Sequence, residues 1–132
     1  MNKHLMIMAV FFLTACGSSV SFSPKENELP DAKVGESYYS TINIEGGRVI
    51  GMLTGNSVKP DNLGLYAQHC ELPKEVITKN TISKKDNNCI IISGIPAKAG
   101  TATVNIHGAI YGNMFKSSEE FNKVYTIKIN SH

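Results

Sequence analysis

The stretch Thr101-Ala102-Thr103-Val104-Asn105-Ile106-His107-Gly108-Ala109-Ile110 reads as a strand with one face turned to a core. Ala102, Val104, Ile106, Gly108 and Ile110 fall on one parity, and Thr101, Thr103, Asn105, His107 and Ala109 on the other. Side chains of an extended chain alternate sides, so a period of two buries the first set and turns the second outward. The unbroken alternation over ten residues argues for a strand over an amphipathic helix. Its Thr, Val and Ile residues are also stiff at χ1 and suit a pleated, half-buried surface.

Working outward, the same pattern recurs. Tyr125, Ile127 and Ile129 form an alternating set that predicts a final strand over 124–129. Upstream, Cys89-Ile90-Ile91-Ile92 is a continuous apolar run suited to a central strand. Farther upstream, Tyr38, Ser40, Ile42 and Ile44 share a face, with Tyr39, Thr41 and Asn43 opposite. Turn signals lie between: Val34-Gly35-Glu36, Glu45-Gly46-Gly47, Gly55-Asn56, Pro60-Asp61-Asn62, Lys85-Asp86-Asn87-Asn88 and Pro96–Gly100. From Cys16 onward the chain has 13 Ile, 7 Val and 7 Thr but only 5 Leu. No window of eleven or more residues carries a helical period. The prediction is an all-β chain, a β-sandwich of about seven or eight short strands.

Two motifs sharpen that reading. Leu29-Pro30-Asp31-Ala32-Lys33-Val34-Gly35-Glu36-Ser37-Tyr38 resembles the start of the bacterial Ig-like modules related to cadherin-like repeats. In those modules a Pro and a small loop precede Val-Gly-x-x-Tyr and the first long strand. Ile92-Ser93-Gly94-Ile95-Pro96-Ala97-Lys98-Ala99-Gly100-Thr101 resembles their Ile-Ser-Gly-x-Pro-x-x-Ala-Gly-x, which an alternating strand follows. Gly94 and Pro96 end one strand, and Gly100 permits the positive φ with which the chain turns back. The resemblance covers residues 29–130 and implies an Ig-like β-sandwich. It fades between Gly46 and Asn88, where Gly47-Arg48-Val49-Ile50-Gly51-Met52 stands in place of the usual Gly-x-x-Pro-Tyr.

The first fifteen residues are of another kind. Lys3 precedes an uninterrupted apolar run, Leu5–Leu13, which matches a secretory signal and falls well short of the roughly 20 residues of a membrane span. Leu13-Thr14-Ala15-Cys16 resembles the lipobox of bacterial lipoproteins. That resemblance implies removal of residues 1–15, a diacylglycerol on the Cys16 thiol and a fatty acyl chain such as palmitate on the new amine. Gly17 is not Asp, which in the same family favours the outer membrane. The alternative is an ordinary signal peptide cut near Ala15. Residues Gly17–Glu28 are polar and aperiodic, so 16–28 reads as a lipidated Cys with a flexible tether, reaching about 40 Å if extended. Residues 29–132 then form the Ig-like domain.

With 13 Lys+Arg against 11 Asp+Glu, the 132-residue chain is close to neutral. Together with 42% apolar residues, this excludes a polybasic nucleic-acid binder and a disordered chain. The expected hold on the membrane is lipid, not a basic patch. Cys70 and Cys89 remain in a compartment that oxidises thiols, and a disulfide between them is expected. A copper or zinc site from His69, Cys70 and His107 is the competing reading, and it lacks metal-binding spacing.

Candidate chemistry is sparse. The sequence has no Gly-x-Ser-x-Gly elbow and no phosphate-cradling Gly loop, and Glu36, Glu45, Glu71 and Glu75 stand in no recognisable catalytic frame. Glu119-Glu120 reads as solvated in a hairpin loop. A non-enzymatic chain without metal or cofactor is the expectation. For binding, Gly112-Asn113-Met114-Phe115-Lys116-Ser117-Ser118 sets an apolar pair among turn residues. With Tyr111, Met114 and Phe115 form a partner-contact patch, or alternatively Met114 or Phe115 caps the end of the sandwich. Tyr39 and Tyr66 are candidate surface aromatics. The expected role is a membrane-anchored envelope module that binds a protein or glycan partner. The alternative is a defence lipoprotein: an inhibitor, immunity factor, or phage or plasmid exclusion factor.

Overall fold

The computed structural model describes residues 19–131, so the expected leader Met1–Ala15 and the expected lipidation site Cys16 lie outside the described residues. Within them, two four-stranded sheets face each other. One has the order β1 (Ser21–Ser23), β3 (Tyr38–Glu45), β6 (Lys85–Gly94), β5 (Leu65–Glu71). The other has the order β2 (Ala32–Lys33), β8 (Glu119–Asn130), β7 (Gly100–Ile110), β4 (Gly55–Lys59). Neighbouring strands are antiparallel except β2, which runs parallel to β8. With its first strand divided between the sheets, this is the strand order of an Ig-like sandwich.

The alternating sets supply the core. Ala102, Val104 and Ile106 of β7 are fully buried, against Ile42 and Ile44 of β3, Ile90 and Ile92 of β6, and Tyr125 and Ile127 of β8. Burying each of the Val and Ile side chains contributes roughly 1.5–3 kcal/mol. The two motifs of the sequence meet in space: the Gly35 N–H donates to the Pro96 carbonyl and the Val34 N–H to Asn130, both at 2.9 Å. Gly100 has φ 143° with open space around it, so the backbone conformation alone calls for glycine. Gly94 is needed twice, since φ is 135° and a Cβ there would strike the Gly64 carbonyl.

The segment expected to be a tether is folded from Ser19 onward. Ser21–Ser23 pairs with Asn43–Glu45, and Asn27 and Leu29 bond to Thr126 of β8 through backbone groups at 2.9 Å. The Tyr125 hydroxyl donates to the Pro24 carbonyl at 2.6 Å. The Lys123 ammonium donates to the Lys25 carbonyl at 2.9 Å and to Asn27 Oδ1 at 2.8 Å, and lies 5.0 Å from the Tyr125 ring centroid. Most of these contacts use backbone acceptors, which composition does not reveal, and a three-residue strand is too short to show a period.

Three further local expectations give way. Gly55-Asn56 begins β4, an edge strand in which only Val58 is buried and which therefore needs little apolar sequence. Lys85–Asn88 begins β6 instead of making a turn. Glu119-Glu120 opens β8, which is longer than 124–129 because it stays paired with β7 out to Ile110.

Candidate functional site

The most distinctive surface is the end of the sandwich where the described chain starts. Ile110 faces Glu119 at the base of the β7–β8 connection, and the intervening residues fold back on themselves. The Asn113 N–H donates to the Lys116 carbonyl at 2.8 Å, while Asn113 Oδ1 accepts the N–H groups of Phe115 at 2.8 Å and Lys116 at 2.9 Å. Three N–H groups of the turn thus find partners within it, and two side chains are left at its tip. Met114 is 93% exposed and Phe115 91%, with Tyr111 at 56%. These residues do not cap the core. Met52, Val76 and Ile82 are also exposed. Val76 and Ile82 line a groove with Arg48 and Asn87, beside the start of β6, so they belong to the same end.

Ser19, the first described residue, is docked here. The Ser19 N–H lies 3.3 Å from both Glu119 carboxylate oxygens, and its hydroxyl donates to the same group. A Cβ at Gly46 would collide with the Ser19 carbonyl, so the turn after β3 closes over the segment from the other side. Ser19, Phe115 and Glu119 border one shallow groove. Glu119, expected to be solvated, is therefore a docking residue.

Behind this end, Asn88 joins three pieces of chain. Its Nδ2 donates to the carbonyls of Ile44 at 2.9 Å and Gly47 at 2.7 Å, and its Oδ1 accepts the Val49 N–H at 3.1 Å. The Cys70–Cys89 disulfide, Cα–Cα 5.3 Å, links β5 to β6 within one sheet. It crosses the register break between His69 and Cys70, where backbone pairing is interrupted. It is not an inter-sheet bridge.

No protein-family model matches the chain, and no curated protein matches it. Among solved structures, the chain is similar to the SrpA adhesin R347E mutant from Streptococcus sanguinis, at 16% identity and a TM-score of 0.47. The match covers 86% of this chain and 58% of that one. The chain thus spans less than two thirds of that structure's length.

The histidines named as possible ligands lie apart. His69 is on β5 of one sheet and His107 on the outer face of β7 in the other, while the sulfur of Cys70 is committed to the disulfide. Among the described residues, no three His, Cys, Asp or Glu side chains gather as a metal site. Tyr39 and Tyr66 are exposed and flank Ser93 in register near the far end of the first sheet. Tyr125 is fully buried, and that burial, with the nearby Glu26 carboxylate, pushes its hydroxyl up to about 12. Burial also raises Tyr38, whose hydroxyl donates to the Pro30 carbonyl at 2.8 Å. Both tyrosines pin the N-terminal segment through a proline carbonyl. The sequence hinted at Asn113, since Asn is favoured where a side chain mimics a turn. Asn88 and Glu119 sent no signal, because their partners are 39 or more residues away.

Proposed function

We propose that this chain is a lipid-anchored, non-enzymatic binding or structural module of the bacterial cell envelope, held at the outer membrane by Cys16. The observation that supports it best is the exposed apolar end, with Met114 and Phe115 presented on a self-bonded turn beside Ser19. An exposed apolar cluster is costly to keep unless it makes contacts. The lipobox resemblance of Leu13-Thr14-Ala15-Cys16 supports the anchor, and the near-neutral charge leaves lipid as its means of attachment. The module would act through contact, holding a protein or glycan partner close to the membrane.

Mass spectrometry of the envelope protein tests the anchor: it should find acyl groups on an N-terminal Cys16, and Cys16→Ser should release the protein from membranes. Retention of the unlipidated variant would refute the anchor. Affinity capture from crosslinked envelopes tests the binding role, with one reproducible partner as the expected result. The defence reading draws on the same projecting turn, whose compact tip suits the plugging of a cleft. It predicts that the captured partner is an incoming enzyme, phage or plasmid component instead of a resident envelope protein.

A further inference from the structure

We infer that the apolar end of the sandwich rests on the bilayer surface itself, with Met114 and Phe115 seated in the lipid interface. This rests on the reading of Cys16 as the anchor and names what the exposed end contacts. The first observation is where the described chain starts. Ser19 is bonded to Glu119 at the base of the Met114–Phe115 turn. Three peptide units separate Ser19 from Cys16, and they span no more than about 11 Å. A twelve-residue tether would have let the domain stand clear of the headgroups. Instead β1, Lys123 and Tyr125 bind that segment along the sandwich. An acylated Cys16 would therefore bring the bilayer to this end of the domain.

The second observation is what that end displays. Exposed Val76, Ile82, Met114 and Phe115 lie at that end, and Asn113 holds the turn that presents the last two. Lys116 is the sole charged residue in Gly112–Ser118, and its stem can lie along the apolar boundary while the ammonium reaches the phosphates. A soluble partner on the same surface would have to share it with the lipid that the anchor brings there.

Because the chain has no Trp, Phe115→Trp creates a single reporter at the tip. Tyr66→Trp is the control, since β6 separates that end from the tip by ten residues, about 30 Å. The lipidated full-length protein is reconstituted into phosphatidylcholine vesicles containing doxyl-labelled lipid. Emission from position 115 should shift to the blue and lose intensity, while emission from position 66 stays as in solution. Equal solvent exposure of the two reporters on vesicle-bound protein would overturn the inference and return the tip to a protein partner. A parallel sample couples Cys16 to a maleimide lipid, which fixes the chain to the vesicle without biological acylation. Native protein without lipid would sink the anchor, whereas an unquenched position 115 in the coupled sample would sink the membrane contact.

Discussion

Tyr125→Phe separates a folded N-terminal strap from a loose tether. Phe keeps the buried ring and its packing, and deletes only the hydroxyl that donates to the Pro24 carbonyl at 2.6 Å. Losing one such hydrogen bond costs about 0.5–1.5 kcal/mol, and more where the remaining carbonyl is shielded from water. A loss of about 1–2 kcal/mol is therefore expected at pH 7. The pH dependence carries a second signature. Folding raises the Tyr125 hydroxyl from 10.0 to about 12, so the protonated form is favoured in the folded state. The stabilisation is complete below pH 10 and is lost as pH climbs through the folded value near 12. That decline amounts to at most about 3 kcal/mol for the parent, and the variant lacks the group that causes it. Urea denaturation followed by far-ultraviolet circular dichroism, at several pH values from 7 to 11.5, measures both effects. The gap between parent and variant should close as pH rises above 10. Equal stability at pH 7, with the same alkaline decline in both proteins, would refute the bond and the strap it holds.

Other outcomes follow from the same geometry. Replacing Cys70 and Cys89 by Ser opens a crosslink with a sequence separation of 19 and should cost about 3 kcal/mol in chemical denaturation, while non-reducing peptide mapping of the parent recovers the linked pair. Asn88→Asp keeps the shape of the side chain but removes both of its donated bonds, to Ile44 and Gly47. A loss of about 2–3 kcal/mol should result, with the bond accepted from Val49 retained, and an unchanged melting temperature would rule out the stitch. Changing Met114 and Phe115 together to Ser should leave stability within about 0.5 kcal/mol of the parent, since both side chains are exposed; a large loss would assign them to the core.

The sequence by itself determined the sheet faces. Val104 and Ile106, Ile42 and Ile44, and Ile127 and Ile129 lie in the core because alternation is local: a side chain's face follows from its parity alone. Gly100 was legible for the same reason, since a positive φ is a property of one residue. The cysteine pair was legible through an inferred compartment, although its place across a bulge within one sheet was not. Only the tertiary structure decided what depends on distant partners. The Ser19–Glu119 contact spans 100 residues, and the Lys123 and Tyr125 contacts to the N-terminal segment span 98 and 101. A polar stretch that reads as a tether became part of the wall because it is held largely through its own backbone carbonyls and N–H groups, which every residue supplies. The Met114–Phe115 pair was visible in the sequence, but its exposure was not. Whether an apolar pair caps a core or faces outward depends on where its turn closes, and here Asn113 closes it with both side chains outside.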